Sequence, residues 1–311
     1  MDTVCCASTQ RLHIAIEAAL AAGALQRAQY QQAFSVSEKS TALDLVTSVD
    51  LACDALIRER LQAGEARQAL AAARMITEET FEEGSEGAGA LALNGVWIVD
   101  PLDGTTNFAH GFPHFAVSIA YAEAGRLMAG VVYDPMKDEL FTAARAQGAT
   151  LTRGAAATGL TPEEPQTRPL AVSAVTSLSR ALLATGFPYD LQSSPQDNMG
   201  LFLAFMNRCH GVRRAGSAAL DLAYVAAGRL DGFWEQRLSP WDVAAGVLLV
   251  EAAGGAVADF SLEALDIARR RIDILAANGP ALLEEIQGVC RQPQAFHPLR
   301  YRCESTGDVR P

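Results

Sequence analysis

The sequence has little positive charge for its length. Its 311 residues carry 25 Lys and Arg against 36 Asp and Glu, which gives a formal net charge of -11. Proteins whose main partner is a nucleic acid or an anionic membrane surface bind it through clustered Lys and Arg. The charge balance therefore argues against direct nucleic-acid binding and against a membrane partner. An acidic site can still bind phosphate when metal ions invert its local charge.

Cysteine motifs and long apolar runs are also absent. The six cysteines form no C-x-x-C pair and no His spacing suggests zinc, so we expect free thiols. The N terminus, MDTVCCASTQ, lacks a basic segment followed by an uninterrupted apolar stretch. No segment offers the ~18 uncharged apolar residues that a membrane span needs. We expect a cytoplasmic protein.

The first half begins with helical patterns and continues with short strands. The composition, 50% hydrophobic and 20% charged, is that of a folded protein with room for two domains. Helical patterns cover 9–34 and 48–61, the second with Ser48 as N-cap and an end before Gly64. Alternating runs at 115–122, 126–133, 139–144 and 149–152 predict an antiparallel meander.

The second half alternates strand-like and helical segments, which predicts an α/β layer. The strand-like pieces lie at 170–172, 182–184, 211–213, 232–234, 256–258 and 274–276, and the helical patterns at 197–208, 217–227, 240–253 and 280–289. The stretch TPEEPQTRP, 161–169, is the best linker candidate.

The expected fold class is a layered α+β and α/β protein, an αβαβα sandwich. We expect an N-terminal α+β subdomain at 1–165 that carries the metal motif, a C-terminal α/β subdomain at 166–292 that closes the site, and a polar tail at 293–311.

The motif VDPLDGTTNF follows an apolar run that is typical of a buried strand. Because Pro101 has no amide hydrogen, we expect this strand to end near Asp100. The spacing of Asp100 and Asp103 can bring both carboxylates toward one point, where a divalent cation relieves their repulsion. An all-oxygen set suits Mg²⁺, and the amides of Gly104–Thr106 can seat an anion. An ordinary polar turn is the alternative, but the full pattern is too specific for it.

Two weaker acidic signals lie elsewhere in the chain. In the stretch SPWD, Ser239 is the expected N-cap of a helix and Pro240 its first residue. Asp242 then lies in the first turn, where the helix dipole alone would explain a carboxylate. Paired with the first motif, it becomes a third ligand candidate. The pair Glu78-Glu79 carries almost no signal by itself.

These motifs together resemble the inositol monophosphatase family, which belongs to the lithium-sensitive, Mg²⁺-dependent phosphomonoesterases. WIVDPLDGTTNFAHGFPHFAVSIA looks like its first signature and PWDVAAGVLLVEAAGG like its second, while Glu78-Glu79 stands where the family keeps an upstream acidic pair. Order and spacing hold from about Lys39 to Asn278, and LLATGFPYD and RRAGSAALDLAYVAAGRLDGFWE resemble bacterial members in particular. Thr77 departs from the family, which often has Gly before the pair, and this affects the mobile flap more than the metals.

The resemblance implies a role for each matched residue. The implied metal ligands, for two or three Mg²⁺ ions, are Glu78, Asp100, the backbone carbonyl of Leu102, Asp103 and Asp242. The implied catalytic residues, which would orient and deprotonate the attacking water, are Glu78, Thr105 and the Asp50 that positions Thr105. The implied substrate contacts are Gly104, Thr105, Thr106, Ala218 and Glu235. Lys39 matches a basic residue of the flap, whereas His110 and His114 match no ligand and are expected to be loop or packing residues.

The implied function is hydrolysis of a polyol or sugar phosphate monoester by a homodimer, with myo-inositol 1-phosphate as the leading substrate. GTTNF, rather than GTKEF or GTRAF, points away from relatives that act on phosphoadenosine-phosphate or histidinol-phosphate, and Glu235 favours a polyol. A fructose-1,6-bisphosphatase-like or broader sugar phosphatase activity is the alternative within the enzymes. A non-catalytic partner in transcription or ribosome biogenesis is the other class, since some bacterial relatives act in this way. The complete acidic set favours the enzyme.

Overall fold

The computed structural model describes residues 3–38, 45–81, 94–156, 165–188 and 198–292. Within them the chain forms two large β-sheets separated and flanked by helices, which is the αβαβα sandwich expected from the sequence. The flap residue Lys39 and the tail at 293–311 lie outside the described residues. In the described ranges, no helix is both long enough and apolar enough to cross a membrane.

The strands of the first half form a short pair and a seven-stranded sheet. The pair is β1 (Val36–Glu38) and β2 (Leu45–Thr47). The sheet contains, in spatial order, β3 (Arg74–Thr77), β4 (Val96–Asp103), β5 (Ala116–Glu123), β6 (Arg126–Asp134), β7 (Glu139–Ala144), β8 (Gly148–Arg153) and β9 (Gln166–Pro169). Only the β3–β4 pairing is parallel in this sheet, so the predicted antiparallel meander is confirmed.

Two long helices, α1 (Thr3–Gln29) and α2 (Ser48–Arg67), cover one face of this sheet. The prediction that the second helix ends before Gly64 is wrong. A Cβ at Gly64 would lie 2.6 Å from Cγ2 of Ile14, so this glycine lets the two helices approach closely and the helix continues through it. The N-cap is Thr47 rather than Ser48, because the Thr47 hydroxyl accepts the amide of Val49 at 3.1 Å.

The second half forms a five-stranded sheet and the remaining helices. Its strands are β10 (Leu182–Thr185), β11 (Gly211–Arg213), β12 (Gly232–Leu238), β13 (Ala256–Ala258) and β14 (Ile272–Ala277), in the spatial order β11-β10-β12-β14-β13. The helices of this half are α4 (Met199–Met206), α5 (Ala218–Ala226), α6 (Pro240–Ala252) and α7 (Pro280–Cys290), whereas the short α3 (Thr105–Ala109) follows β4 in the first half. Helices α5 and α6 contact both sheets, whereas α4 and α7 pack on the outer face of the second.

Two sequence expectations about the connection between the sheets are wrong. Residues 166–169 of the predicted linker form β9, an edge strand paired with β8, in which Thr152 and Thr167 share a hydrogen bond of 2.8 Å. A proline is tolerated there because an edge strand can leave one side unpaired. Residues 170–172 form no strand, and the amide of Val172 instead donates to the carbonyl of Ala253 at 3.3 Å.

The layer between the sheets is almost wholly apolar. In α6, nine of the residues are buried, and they lie on all sides of the helix because sheets face it from both directions. A second cluster, containing Trp97 and Tyr133, fills the space between the first sheet and α1 and α2. The cysteines whose side chains the structure describes, Cys53, Cys209 and Cys290, are free thiols. These layers fix the end of β4 against the first turns of α5 and α6.

Candidate active site

The end of β4 is a β-bulge. Asp100 pairs with Ser118 and Asp103 pairs with Ala116, so Pro101 and Leu102 together face a single residue of β5. The expectation that the strand ends near Asp100 is therefore wrong, because the ladder resumes beyond the proline. A bulge redirects the side chains of the strand that carries it. Here both aspartates line one cavity.

Gly104 makes the sharp turn from β4 into α3. Its φ of 101° lies in the left-handed region, and an added Cβ would lie 3.0 Å from the carbonyl oxygen of His114 and 3.2 Å from that of Gly216. A side chain is excluded by both the backbone angle and the space. Helix α3 begins at the next residue, Thr105, and the first amides of a helix have no partner within it. These amides lie beside the acidic cavity.

The Thr105 hydroxyl is held by Asp50 of α2. Its Oγ1 lies 2.8 Å from Oδ1 of Asp50 and 3.1 Å from the carbonyl oxygen of Leu102. The hydroxyl has one proton, and the carboxylate is the nearer and stronger acceptor. Asp50 is itself fully buried and accepts the amide of Thr47 at 2.9 Å through Oδ2. The carbonyl of Leu102 is thus left with acceptor capacity for a ligand in the cavity.

Asp103 receives hydrogen bonds from the start of α5. Its Oδ2 accepts the hydroxyl of Ser217 at 2.6 Å and the amide of Ala219 at 2.7 Å. The amide of Ala218, an implied substrate contact, also lies within hydrogen-bonding reach of this carboxylate. A carboxylate at a helix N terminus is stabilised by the unpaired amides there. Asp103 therefore joins the first sheet to the helical layer.

Asp242 lies in the first turn of α6, as the sequence predicts. Ser239 is the N-cap and Pro240 the first helical residue, so both expectations are confirmed. The Oδ2 of Asp242 accepts the amide of Ser239 at 2.7 Å, which closes a capping box. The side chain faces the same cavity as Asp100 and Asp103.

The structure brings nearly all of the predicted site residues into one cavity of ≈ 850 Å³. The predicted residues that line it are Glu78, Asp100, Leu102, Asp103, Gly104, Thr105, Thr106, Ala218, Glu235 and Asp242. Asp50 lies behind Thr105, to which it is bonded. His110 and His114 do not line the cavity, and His114 packs 6.1 Å from the ring of Tyr224.

The carboxylates in this cavity repel one another. Burial, with a smaller effect from the charge of Glu78, raises the pKa of Asp103 to about 6, and the hydrogen bonds from α5 limit this shift. Burial, followed by the charges of Glu78 and Asp103, raises the pKa of Asp242 well above its ordinary value. Such a set is deficient in positive charge, which a divalent cation supplies.

The donor set fits a hard divalent cation, because every donor is a carboxylate or carbonyl oxygen. Among the described residues, no three His, Cys, Asp or Glu side chains are grouped so that they could hold an ion as they stand. The candidate metal centre is therefore defined by the chemistry of its donors, their shared cavity and their unbalanced charge.

Sequence reasoning missed Asp221, which lines the cavity beside Glu235. Burial and the charge of Asp103 raise the pKa of Asp221, and burial and the charge of Asp221 raise that of Glu235, both well above ordinary values. Arg214 opposes both shifts. A signal for Asp221 exists in the sequence, since it is the single charged residue of the otherwise apolar helix α5.

Two other contributors carry no signal that a single sequence can reveal. The amide of Asn107 donates to the carbonyls of His114 at 2.7 Å and Ala215 at 2.9 Å, which ties the motif to the loop before α5. A Cβ at Gly186 would lie 2.1 Å from Oε1 of Glu235, so this glycine makes room for the glutamate. The contacts of Asn107 with Ala215 and of Gly186 with Glu235 join residues that are far apart along the chain.

Comparison with known proteins identifies the family of the chain. A profile of the Inositol monophosphatase family matches residues 8–294. The chain is 48% identical over 254 residues to the Nus factor SuhB of Pseudomonas aeruginosa, covering 80% of this chain and 85% of the relative. It is 40% identical over 285 residues to the inositol-1-monophosphatase of Synechocystis, covering 92% of this chain and 90% of the relative.

A solved structure gives the same result for the fold. The inositol monophosphatase of Anabaena (Nostoc) superposes with a TM-score of 0.71 at 39% sequence identity, covering 90% of this chain and 95% of that one. The family is generally Mg²⁺-dependent, in agreement with the oxygen donors of the cavity. On the profile match and these identities, the chain belongs to the inositol monophosphatase family.

Proposed function

We propose that the protein is a Mg²⁺-dependent phosphomonoesterase that hydrolyses a polyol phosphate, with myo-inositol 1-phosphate as the preferred substrate. The observation that carries the proposal is the oxygen-donor set around the Thr105–Asp50 pair in one cavity. Family membership and the relatives named inositol-1-monophosphatase support the same reaction.

The residues that would hold the cations are Glu78, Asp100, Asp103 and Asp242 through their carboxylates and Leu102 through its carbonyl. When bound, divalent cations in such a site activate a water molecule and stabilise the charge on the phosphate and the leaving oxygen. The five groups belong to residues that line one cavity, and their oxygens are of the kind that Mg²⁺ prefers.

Thr105 and Glu78 are proposed to orient and deprotonate the attacking water. Because the Thr105 proton is donated to Asp50, the lone pairs of its oxygen can accept a hydrogen bond from water. The buried Asp50 holds that hydroxyl in one rotamer through its own capping contacts at Thr47. Glu78 supplies the carboxylate that receives the proton. A positioned pair of this kind contributes typically 10²–10⁴-fold to a rate.

The alcohol half of the substrate is proposed to bind at Glu235, with the amides of Gly104–Thr106 receiving the phosphate. Glu235 lies beside Asp221, and burial together with nearby carboxylates raises the pKa of both well above ordinary values, which favours the protonated form that can donate a hydrogen bond. Polyol hydroxyls match such a mixed surface. Arg214, which lowers both pKa values, adds a cation at the same end of the cavity.

A phosphate-release screen tests the proposal. Sugar, polyol and nucleotide monophosphates and fructose 1,6-bisphosphate are compared with and without Mg²⁺ and Li⁺. We expect the highest kcat/KM for myo-inositol 1-phosphate, no turnover without Mg²⁺ and inhibition by Li⁺. Asp103→Asn is expected to remove the activity, and Asp266→Asn, an exposed carboxylate, to retain it. Equal rates for wild type and Asp103→Asn would contradict the proposal. A higher kcat/KM for fructose 1,6-bisphosphate would instead identify the bisphosphate as the preferred substrate.

A second candidate function is favoured by the relatives named Nus factor, of which one is 48% identical. On this proposal the chain also acts as a binding partner in transcription. Affinity purification from cells that carry tagged wild type or Asp103→Asn separates the two roles. Co-purification of RNA polymerase subunits with both variants supports a partner role independent of catalysis, and their absence from both dismisses it.

The assembly is proposed to be a cytoplasmic homodimer. Dimers are typical of the family, which is what supports the proposal. Light scattering coupled to size-exclusion chromatography gives the mass directly. A mass near twice 33.0 kDa agrees with the proposal, and a mass near 33.0 kDa contradicts it.

A further inference from the structure

Gln26 is a buried polar residue beneath the candidate active site. It lies near the end of α1, is 0% exposed, and donates from Nε2 to the carbonyl oxygen of Pro101 at 2.8 Å. Within the described part of the chain, its Oε1 is buried and has no hydrogen-bond partner. A buried amide with half of its hydrogen-bonding capacity unused is unfavourable for stability. The contact with Pro101 is the hydrogen bond that holds this side chain in place.

Pro101 lies in the bulge of β4, where the regular ladder to β5 is interrupted. Its nitrogen carries no hydrogen, and its carbonyl belongs to the peptide group shared with Leu102. The amide hydrogen of that same group is donated to Oδ1 of Asp100 at 2.9 Å. Buried backbone groups outside a ladder require other partners. Gln26 and Asp100 supply them here.

The peptide group between Pro101 and Leu102 is thus held at both of its polar ends. No peptide bond in the described residues is cis, so the carbonyl and the amide hydrogen of this group point in opposite directions. Gln26 fixes the carbonyl on the side of α1, and the amide consequently faces the Asp100 carboxylate in the cavity. Hydrogen bonds in such a chain polarise and strengthen one another.

The orientation of this peptide also bears on the next carbonyl. In an extended chain successive carbonyls point to opposite sides, as successive side chains do. With the Pro101 carbonyl turned toward α1, the carbonyl of Leu102 faces Thr105, whose Oγ1 is 3.1 Å away. Rotation of one peptide group would disturb the Asp100 carboxylate and the Leu102 carbonyl together.

We propose that Gln26 is a positioning residue that clamps the Pro101–Leu102 peptide and so presents Asp100 and Leu102 to the cation. The inference rests on the proposed function, because it assigns these two groups as Mg²⁺ ligands. Gln26 itself touches neither substrate nor metal. It acts from the opposite face of the strand, through one backbone carbonyl.

The test substitutes Gln26→Met, which keeps the volume and removes the donor together with the unpartnered oxygen. Gln26→Glu is the second variant, because burial keeps its carboxyl group neutral, so it keeps the shape and an O–H that can still donate to the Pro101 carbonyl. The matched control is Gln29→Met, one turn later on α1 and half-buried. Mg²⁺ binding to the protein without substrate is measured by calorimetry, and unfolding in EDTA is measured by urea titration.

We expect Gln26→Met to bind Mg²⁺ about tenfold more weakly, as for other residues that orient metal ligands. In EDTA this variant is expected to unfold at lower urea than wild type, because the buried Pro101 carbonyl loses its donor. Gln26→Glu is expected to bind Mg²⁺ more tightly than Gln26→Met, because its O–H restores the donor to the Pro101 carbonyl, and Gln29→Met is expected to match wild type. If both Gln26 variants bind Mg²⁺ with wild-type affinity, this inference is overturned and the proposed function is unaffected. A Gln26→Met protein that unfolds earlier but binds Mg²⁺ as wild type assigns the residue to structure and also overturns it. If wild type itself binds no Mg²⁺, the proposed function fails first.

Discussion

Asp103, at the end of β4, accepts a hydrogen bond of 2.7 Å from the amide of Ala219 in the first turn of α5. The two residues belong to different halves of the chain, 116 positions apart. This contact brings the strand that carries the acidic motif against the helix that carries Asp221. The Oδ2 of Asp103 thus connects the first sheet to the helical layer that contains α5. The same carboxylate lines the cavity.

Asp103→Asn is expected to separate catalysis from stability. Asn can still accept from Ser217 and Ala219, but it cannot carry the charge proposed to hold the cation, so activity should fall at least ~100-fold. Burial raises the pKa of Asp103 from 3.8 to about 6. This shift contributes stability that is present below pH 4 and is lost as the pH rises through about 6.

In EDTA at pH 8, Asp103→Asn should therefore be more stable than wild type, by up to about 3 kcal/mol. Urea unfolding at pH 4 and pH 8 measures the difference, which should be small at the lower pH. The exposed Asp266→Asn is the control and should show wild-type stability at both. A variant that is equally destabilised at both pH values would contradict the assigned cause of the shift.

Thr105→Val is expected to reduce kcat about 100-fold or more with little change in KM, because it removes the hydroxyl and keeps the shape. Thr105→Ser retains the hydroxyl bonded to Asp50 and should retain most of the activity. Steady-state kinetics at saturating Mg²⁺ compare the two. If the valine variant is as active as the serine variant, the hydroxyl has no part in handling the attacking water.

The sequence predicted the parts of the site that depend on local chemistry. Ser239 and Pro240 begin α6 because their backbone requirements are satisfied within one turn. Gly104 allows the left-handed turn into α3 for the same kind of reason. The motif therefore predicted that its two carboxylates approach one point, and both line one cavity. The assignment of each carboxylate to a metal stays a prediction.

The parts that the sequence did not reveal depend on neighbours distant along the chain. The bulge at Pro101 arises from the register of β4 against β5, and a proline alone indicates only that the ladder is disturbed. The continuation of α2 through Gly64 depends on how closely α1 approaches. The bond from Asn107 to Ala215 joins residues 108 positions apart. The boundary between subdomains at 165 likewise stays a prediction.

Asn107→Ala is expected to loosen the junction between the motif and the loop before α5. The carbonyls of His114 and Ala215 would lose the side-chain donor that lies 2.7 and 2.9 Å away. Loss of buried partners of this kind costs about 2–3 kcal/mol of the free energy of unfolding. Asn207→Ala is the control, since its side-chain amide bonds one exposed helix carbonyl, and it should change stability by less than about 0.5 kcal/mol. Equal urea midpoints for the two variants would refute the assigned role.

His114 is expected to make the protein sensitive to acid. It is buried, and within the described residues its Nε2 has no hydrogen-bond partner. Burial, with a smaller effect from Lys137, lowers its pKa from 6.5 to about 4. The neutral ring therefore contributes stability that is present above pH 6.5 and is lost as the pH falls through about 4, up to about 3 kcal/mol in total. His114→Phe removes this titration. The free energy of unfolding, measured by urea in EDTA, should therefore depend less steeply on pH in this variant than in wild type. The measurement covers about pH 7.5 to about pH 4.5, a range set by these pKa values. The control is His13→Phe, at an exposed position of α1, and its stability should depend on pH as that of wild type does. If the stability of His114→Phe also depends on pH as in wild type, another group is responsible for the acid sensitivity.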